Sequence, residues 1–159
     1  MEAKYIKAIK TGICDGIVIL VILAIEHLLS LIGSGLLNAG ASASVDEAAC
    51  ILSAIVFPAC VAITFASGMF AVRSAAPMLT GPSDDAVVAG IAGLVAGVFW
   101  ALSYLVLGIL GMQGDNQSLA NAAALAMMCC IPEIICISIV SALIGGTAYN
   151  ALVLRKELK

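Results

Sequence analysis

Charge is what this sequence has little of. Of its 159 residues, 11% are Asp, Glu, Lys or Arg, against roughly 25% in an ordinary globular domain. A soluble fold of this length could not cover its surface with so few charges. Histidine and tryptophan occur once each, and aromatic residues make up 5%. No HExxH motif, no glycine-rich phosphate loop and no nucleophile with an evident base is present. No basic patch beyond the residues flanking the apolar segments offers a nucleic-acid surface. No enzyme activity, no cofactor and no nucleic-acid partner is therefore expected.

What remains is apolar: 63% of the chain is hydrophobic. Four apolar segments stand out, at 13–37, 48–72, 86–111 and 119–153. Each exceeds the ~20 residues that cross about 30 Å of hydrocarbon as a helix. Polar breaks at 38–47, 73–85 and 112–118 carry ordinary turn residues. Pro82 followed by Ser83, Asp84 and Asp85 reads as a helix start, with acids placed to complement the helix dipole. The lipid bilayer is the first expected partner.

The seven basic residues fall on one side. Lys4, Lys7 and Lys10 precede the first segment, Arg73 follows the second, and Arg155, Lys156 and Lys159 follow the fourth. The other two breaks carry only Asp46, Glu47 and Asp115. The positive-inside rule then puts both termini and the middle loop in the cytoplasm, in the plasma membrane of a prokaryotic cell. A cleaved signal peptide ending near Ala41-Ser42-Ala43 competes for the first segment. A signal's apolar region usually has only 7–15 residues. This one is longer and is interrupted by Glu26 and His27, so cleavage is not expected.

Shifted by 74 residues, the chain aligns with itself without a gap. Pro58 meets Pro132, Gly16 meets Gly90, Leu20 meets Leu94 and Ser67 meets Ser141, among 14 identities over residues 16–72. The unit is a two-helix hairpin, so both copies keep one orientation, as in parallel repeats about an axis along the membrane normal. The expected fold is an all-α integral membrane protein with four transmembrane helices, built as two tandem hairpins related by this repeat. Residues 1–159 form one membrane domain, with the first hairpin at 11–73 and the second at 84–153. Glu26 aligns with Trp100, His27 with Ala101 and Ala59 with Glu133. The polar residues are specialised to one copy each.

Helix contact in lipid depends on close backbone approach, because lipid tails are as apolar as leucine. Gly93, Gly97, Ala101, Tyr104, Gly108 and Gly111 form a stripe at helical spacing. It is read first as a packing seam, within the chain or in a homo-oligomer, with a pore lining as the alternative.

Ionisable residues inside a membrane are costly and default to functional candidates. Three are central here: Glu26 and His27 on the first helix and Glu133 on the fourth. Asp15, Ile22, Glu26 and Gly33 share one helical face, while His27 points about 100° away from Glu26. Cys129, Pro132, Glu133 and Cys136 share a face of the fourth helix. Pro132 and Pro58 each lack an N–H and are expected to kink their helices, freeing the carbonyls of Met128 and Ala54. The leading expectation is permeation or proton- or cation-coupled transport of a small ion or solute past Glu26, His27 and Glu133. Glu133 acting only as interhelical glue is the bland alternative, and an accessory or scaffold subunit of a larger membrane complex is the alternative function.

The six cysteines are more remote from function. Cys14, Cys60, Cys129, Cys130 and Cys136 fall in or beside apolar segments, where a disulfide framework is not expected. With Met127 and Met128 they offer soft donors for a metal such as Cu(I). Neighbouring helical positions splay apart and no CxxC pair is present, so a soft-metal carrier is a distant third reading. Buried thiols acting as small hydrophobes are the expectation.

Overall fold

A computed structural model describes the backbone of residues 2–37, 44–111 and 117–154. Its side chains are described over 2–29, 54–106 and 130–153, with Ile32 and Leu52. Helix α1 runs Ala3–Leu37 and α2 runs Ser44–Ala75. A 3-10 turn at Ala76–Met78 leads into α3, Pro82–Gly111. Helix α4 runs Gln117–Tyr149 and ends in a π-helical turn at Asn150–Leu154. No strand occurs among the described residues. Four helices are long and apolar enough to cross a membrane. With 30 to 35 residues each, they reach about 45–52 Å at 1.5 Å per residue, so their ends extend beyond a hydrocarbon core of about 30 Å.

The helices begin earlier than the apolar segments. α1 starts at Ala3, ten residues before the expected 13, because lysine is a good helix former and Lys4, Lys7 and Lys10 recur at helical spacing. The break expected at 73–85 is mostly helical. The expected start of α3 is where the sequence placed it: Pro82 is its first residue. Its Asp84 carboxylate accepts from the Thr80 N–H at 3.2 Å and the Thr80 hydroxyl at 2.6 Å. Lys4 of α1 donates to the same oxygen at 3.0 Å, and Lys7 donates to the Ser74 carbonyl at 2.8 Å. The head of α1 is thus fastened to the α2–α3 connection. Asn150, past the end of α4, donates to Asp85. The breaks at 38–47 and 112–118 and the residues Arg155, Lys156 and Lys159 lie largely or wholly outside the described residues.

α1 packs on α3 and α2, and α4 packs on the same two helices, leaving α1 and α4 at opposite corners. Glycine sets how closely they meet. A Cβ added to Gly68 of α2 would strike the Ala142 carbonyl of α4, and one on Gly145 of α4 would strike the Phe65 carbonyl. On α3, a Cβ on Gly93 would lie 2.6 Å from Ala142 Cβ, and one on Gly97 2.9 Å from Ser138 Cβ. Gly93 and Gly97 therefore lie against α4 of the same chain, while Tyr104 on the same stripe is exposed. Gly108 lies outside the described side chains. Pro58 and Pro132 both sit inside helices that continue through them.

The interior has two apolar clusters. Ala8, Ala71, Ala75, Val88 and Ala92 pack together at the end near the amino terminus. Further along the bundle, Ile19, Leu23, Val56, Cys60, Ala96, Trp100 and Ile134 form the larger cluster. Small side chains fill the first and bulky ones the second. Cysteine departs from expectation: Cys60 is buried, but Cys14, Cys130 and Cys136 face outward. Cys50 and Cys129 lie outside the described side chains.

Candidate functional site

The three residues singled out from sequence occupy different surroundings. Glu133 is exposed on α4 and lines a groove of about 340 Å³ with Phe57, Tyr104, Cys130, Ile134 and Ile137. Glu26 is partly buried on α1, with its carboxylate within electrostatic range of Cys60 and Tyr104. His27, next to it, is also partly buried. Neither Glu26 nor His27 lines the Glu133 groove. Tyr104 links the two surroundings: it walls the groove and lies within electrostatic range of Glu26. One turn earlier on α3, the Trp100 indole sits beside the Tyr104 hydroxyl, yet its buried N–H makes no hydrogen bond of normal geometry. Trp100 is fully buried and tilts against Phe57, with ring centroids 5.6 Å apart.

A second polar group lies deeper, between the two apolar clusters. On α1, Asp15 falls between Ala8 and Ile19. On α2, Thr64 and Ser67 fall between Cys60 and Ala71. On α3, Gly93 falls between Ala92 and Ala96, and on α4, Ser138 and Ser141 follow Ile134. Each flanking residue belongs to one of the two clusters. Thr64, Ser67 and Ser138 are fully buried and Ser141 nearly so.

Hydrogen bonds join much of this layer. Thr64 and Ser141 share a bond of 2.6 Å in which either hydroxyl can donate. Thr64 also reaches the Val61 carbonyl at 2.9 Å, and Ser141 the Ser138 carbonyl at 3.1 Å. Ser138 donates to the Gly93 carbonyl of α3 at 2.7 Å. The Asp15 carboxylate and the Ser67 hydroxyl face each other across α1 and α2. Asp15 Oδ2 and Ser67 Oγ are both sealed from solvent, and neither makes a hydrogen bond of normal geometry.

Compared with known proteins, the chain matches no family model, no curated sequence and no solved structure.

The sequence puts Asp15 on the Glu26 face, and helical spacing alone does not single out the hydroxyls. A signal was available. Thr64 and Ser138 are 74 residues apart, as are Ser67 and Ser141. The self-alignment thus superposes a hydroxyl on a hydroxyl at both positions, and counting identities alone passes over the Thr–Ser pair. Among the described residues, no group of three or more His, Cys, Asp and Glu side chains could hold a metal ion.

Proposed function

We propose that the protein transports a small ion or solute across a membrane, coupled to protons or another small cation, through intramembrane carboxylates. The observation that supports this reading is the position of Tyr104, which walls the groove that Glu133 lines and lies within electrostatic range of Glu26. Carboxylates are expensive at membrane depth unless paired, neutralised or hydrated. A tyrosine hydroxyl both donates and accepts, so it can serve either protonation state of a neighbouring carboxylate. In this reading both termini and the α2–α3 connection face the cytoplasm of a prokaryotic cell, and the two hairpins derive from one repeated unit. Proteoliposomes holding the wild type should pass protons or cations under an imposed gradient. Glu133→Gln should cut that flux by at least tenfold, and unchanged flux would remove Glu133 from the mechanism.

An accessory-subunit reading has its own support. α1 and α3 border an apolar groove of about 300 Å³, lined by Leu20, Ala24, Phe99, Leu102, Ser103 and Val106. A partner helix or a second copy of this chain would seat there by close packing. Recovery of a stoichiometric partner subunit, together with absent flux in the purified protein, would favour it.

A further inference from the structure

The layer between the apolar clusters has no role in the reading above, which rests on Glu26 and Glu133. We propose that Asp15 and Ser67 form a proton-binding site enclosed in this layer. The proposal deepens the transport reading and depends on it for its physiological purpose, but the protonation itself does not.

Hydrogen-bond accounting carries the argument. An ionised carboxylate only accepts, whereas a protonated one also donates; a serine hydroxyl does both. With Asp15 ionised, the Ser67 hydroxyl donates to it. With Asp15 protonated, the acid O–H donates to Ser67 Oγ. Asp15 Oδ2 and Ser67 Oγ are both sealed and unpartnered as they stand, and a small approach of the two groups would give them one hydrogen bond in either state. Loading adds one proton from water to a carboxylate oxygen and breaks no covalent bond. Asp15 itself is only partly buried, while its Oδ2 faces the sealed interior.

The neighbouring hydroxyls have the same freedom. Thr64 and Ser141 have two hydroxyl protons for three hydrogen bonds: the one they share and one to a carbonyl each. Only two of the three can be made at once, so the shared bond can run in either direction. Ser67 lies one helical turn from Thr64, which places a reversible donor next to the Asp15 pair.

Packing favours a proton over a metal cation. Gly12 and Gly16, which flank Asp15 on α1, are pressed against α3: a Cβ on them would lie 2.6 Å from the Ala92 carbonyl oxygen and 2.7 Å from Phe99 Cβ, respectively. An ion bringing several oxygen ligands to 2.3–2.6 Å, as calcium does, would have to part these helices. Among the described residues, Ser67 is the side chain that acts on Asp15. On α3, the face packed beside it through Gly12 and Gly16 presents Ala92, Val95 and Phe99, none of them titratable.

Infrared spectroscopy of the protein in lipid nanodiscs tests the assignment. A carbonyl band from a protonated carboxyl group should appear and disappear on pH titration. It should be absent in Asp15→Asn, retained in Glu133→Gln and shifted in Ser67→Ala, where the hydrogen bond is lost. Survival of the band in Asp15→Asn would overturn the assignment. So would its displacement by sodium at constant pH, which would make a cation the occupant. Should Asp15→Asn not fold, the shift in Ser67→Ala decides, and an unmoved band there would refute the pairing. A band that behaves as expected, with flux unaltered in Asp15→Asn, would uphold the proton site and count against the transport reading.

Discussion

Thr64 and Ser141 show how little a hydrogen bond contributes when its partners have alternatives. Each hydroxyl keeps a backbone carbonyl on its own helix in reserve. Interhelical side-chain hydrogen bonds in membranes average about 0.6 kcal/mol and reach roughly 1.7 kcal/mol. Thr64→Val and Ser141→Ala should each cost stability within that range. The double variant should cost less than their sum, because both remove the same bond; thermal unfolding in one detergent measures all three. Glu133 behaves oppositely. It is exposed, so Glu133→Gln should leave stability within about 0.5 kcal/mol of wild type while lowering flux. Costly carboxylates were legible in the sequence because charge is rare in this chain. Serine and threonine were not, because such residues are common in turns and on helix surfaces. Only their position between two apolar clusters separates Ser67 from Ser74, whose hydroxyl returns to its own helix at the Ala71 carbonyl.

At the scale of elements, the α2–α4 contact should be the most sensitive to side-chain size. Gly68→Leu would force a side chain into the Ala142 backbone. Overpacking of this kind costs about 1–3 kcal/mol and sometimes more. Gly81→Ala makes a fair control: a Cβ there meets nothing within 4 Å, and stability should change by less than about 0.5 kcal/mol. Chemical denaturation of both variants tests the contrast. The four helices were legible from apolar run length, but their ends were not. Hydropathy reports what hydrocarbon accepts, whereas a helix continues wherever its backbone can be satisfied. The lysines before the first apolar run therefore belong to α1. Their bonds to Asp84 and Ser74 depend on a loop some 70 residues away, which no local pattern encodes.

For the whole molecule, the amino terminus, the α2–α3 connection and the residues after α4 meet at one end of the bundle. We propose from the basic residues and the positive-inside rule that this end faces the cytoplasm, and a labelling experiment tests it. Single cysteines introduced in a cysteine-free background, Asp115→Cys and Thr80→Cys, should differ in intact cells. A membrane-impermeant maleimide should label the first and spare the second; the reverse pattern would invert the topology.

The unequal filling of the interior has a mechanical consequence. Helices approach closely through Gly68, Gly93 and Gly145, whereas Trp100, Ile19 and Ile134 fill the interior beyond the hydroxyl layer. The Gly68–Ala142 contact, where a glycine meets backbone, is the natural fulcrum between α2 and α4. Glu133 lies nine residues from Ala142, a lever arm of about 13.5 Å, so a tilt of about 10° at the Gly68–Ala142 contact swings that carboxylate by roughly 2 Å. Such a tilt would change the width of the groove that Glu133 lines with Phe57 and Tyr104.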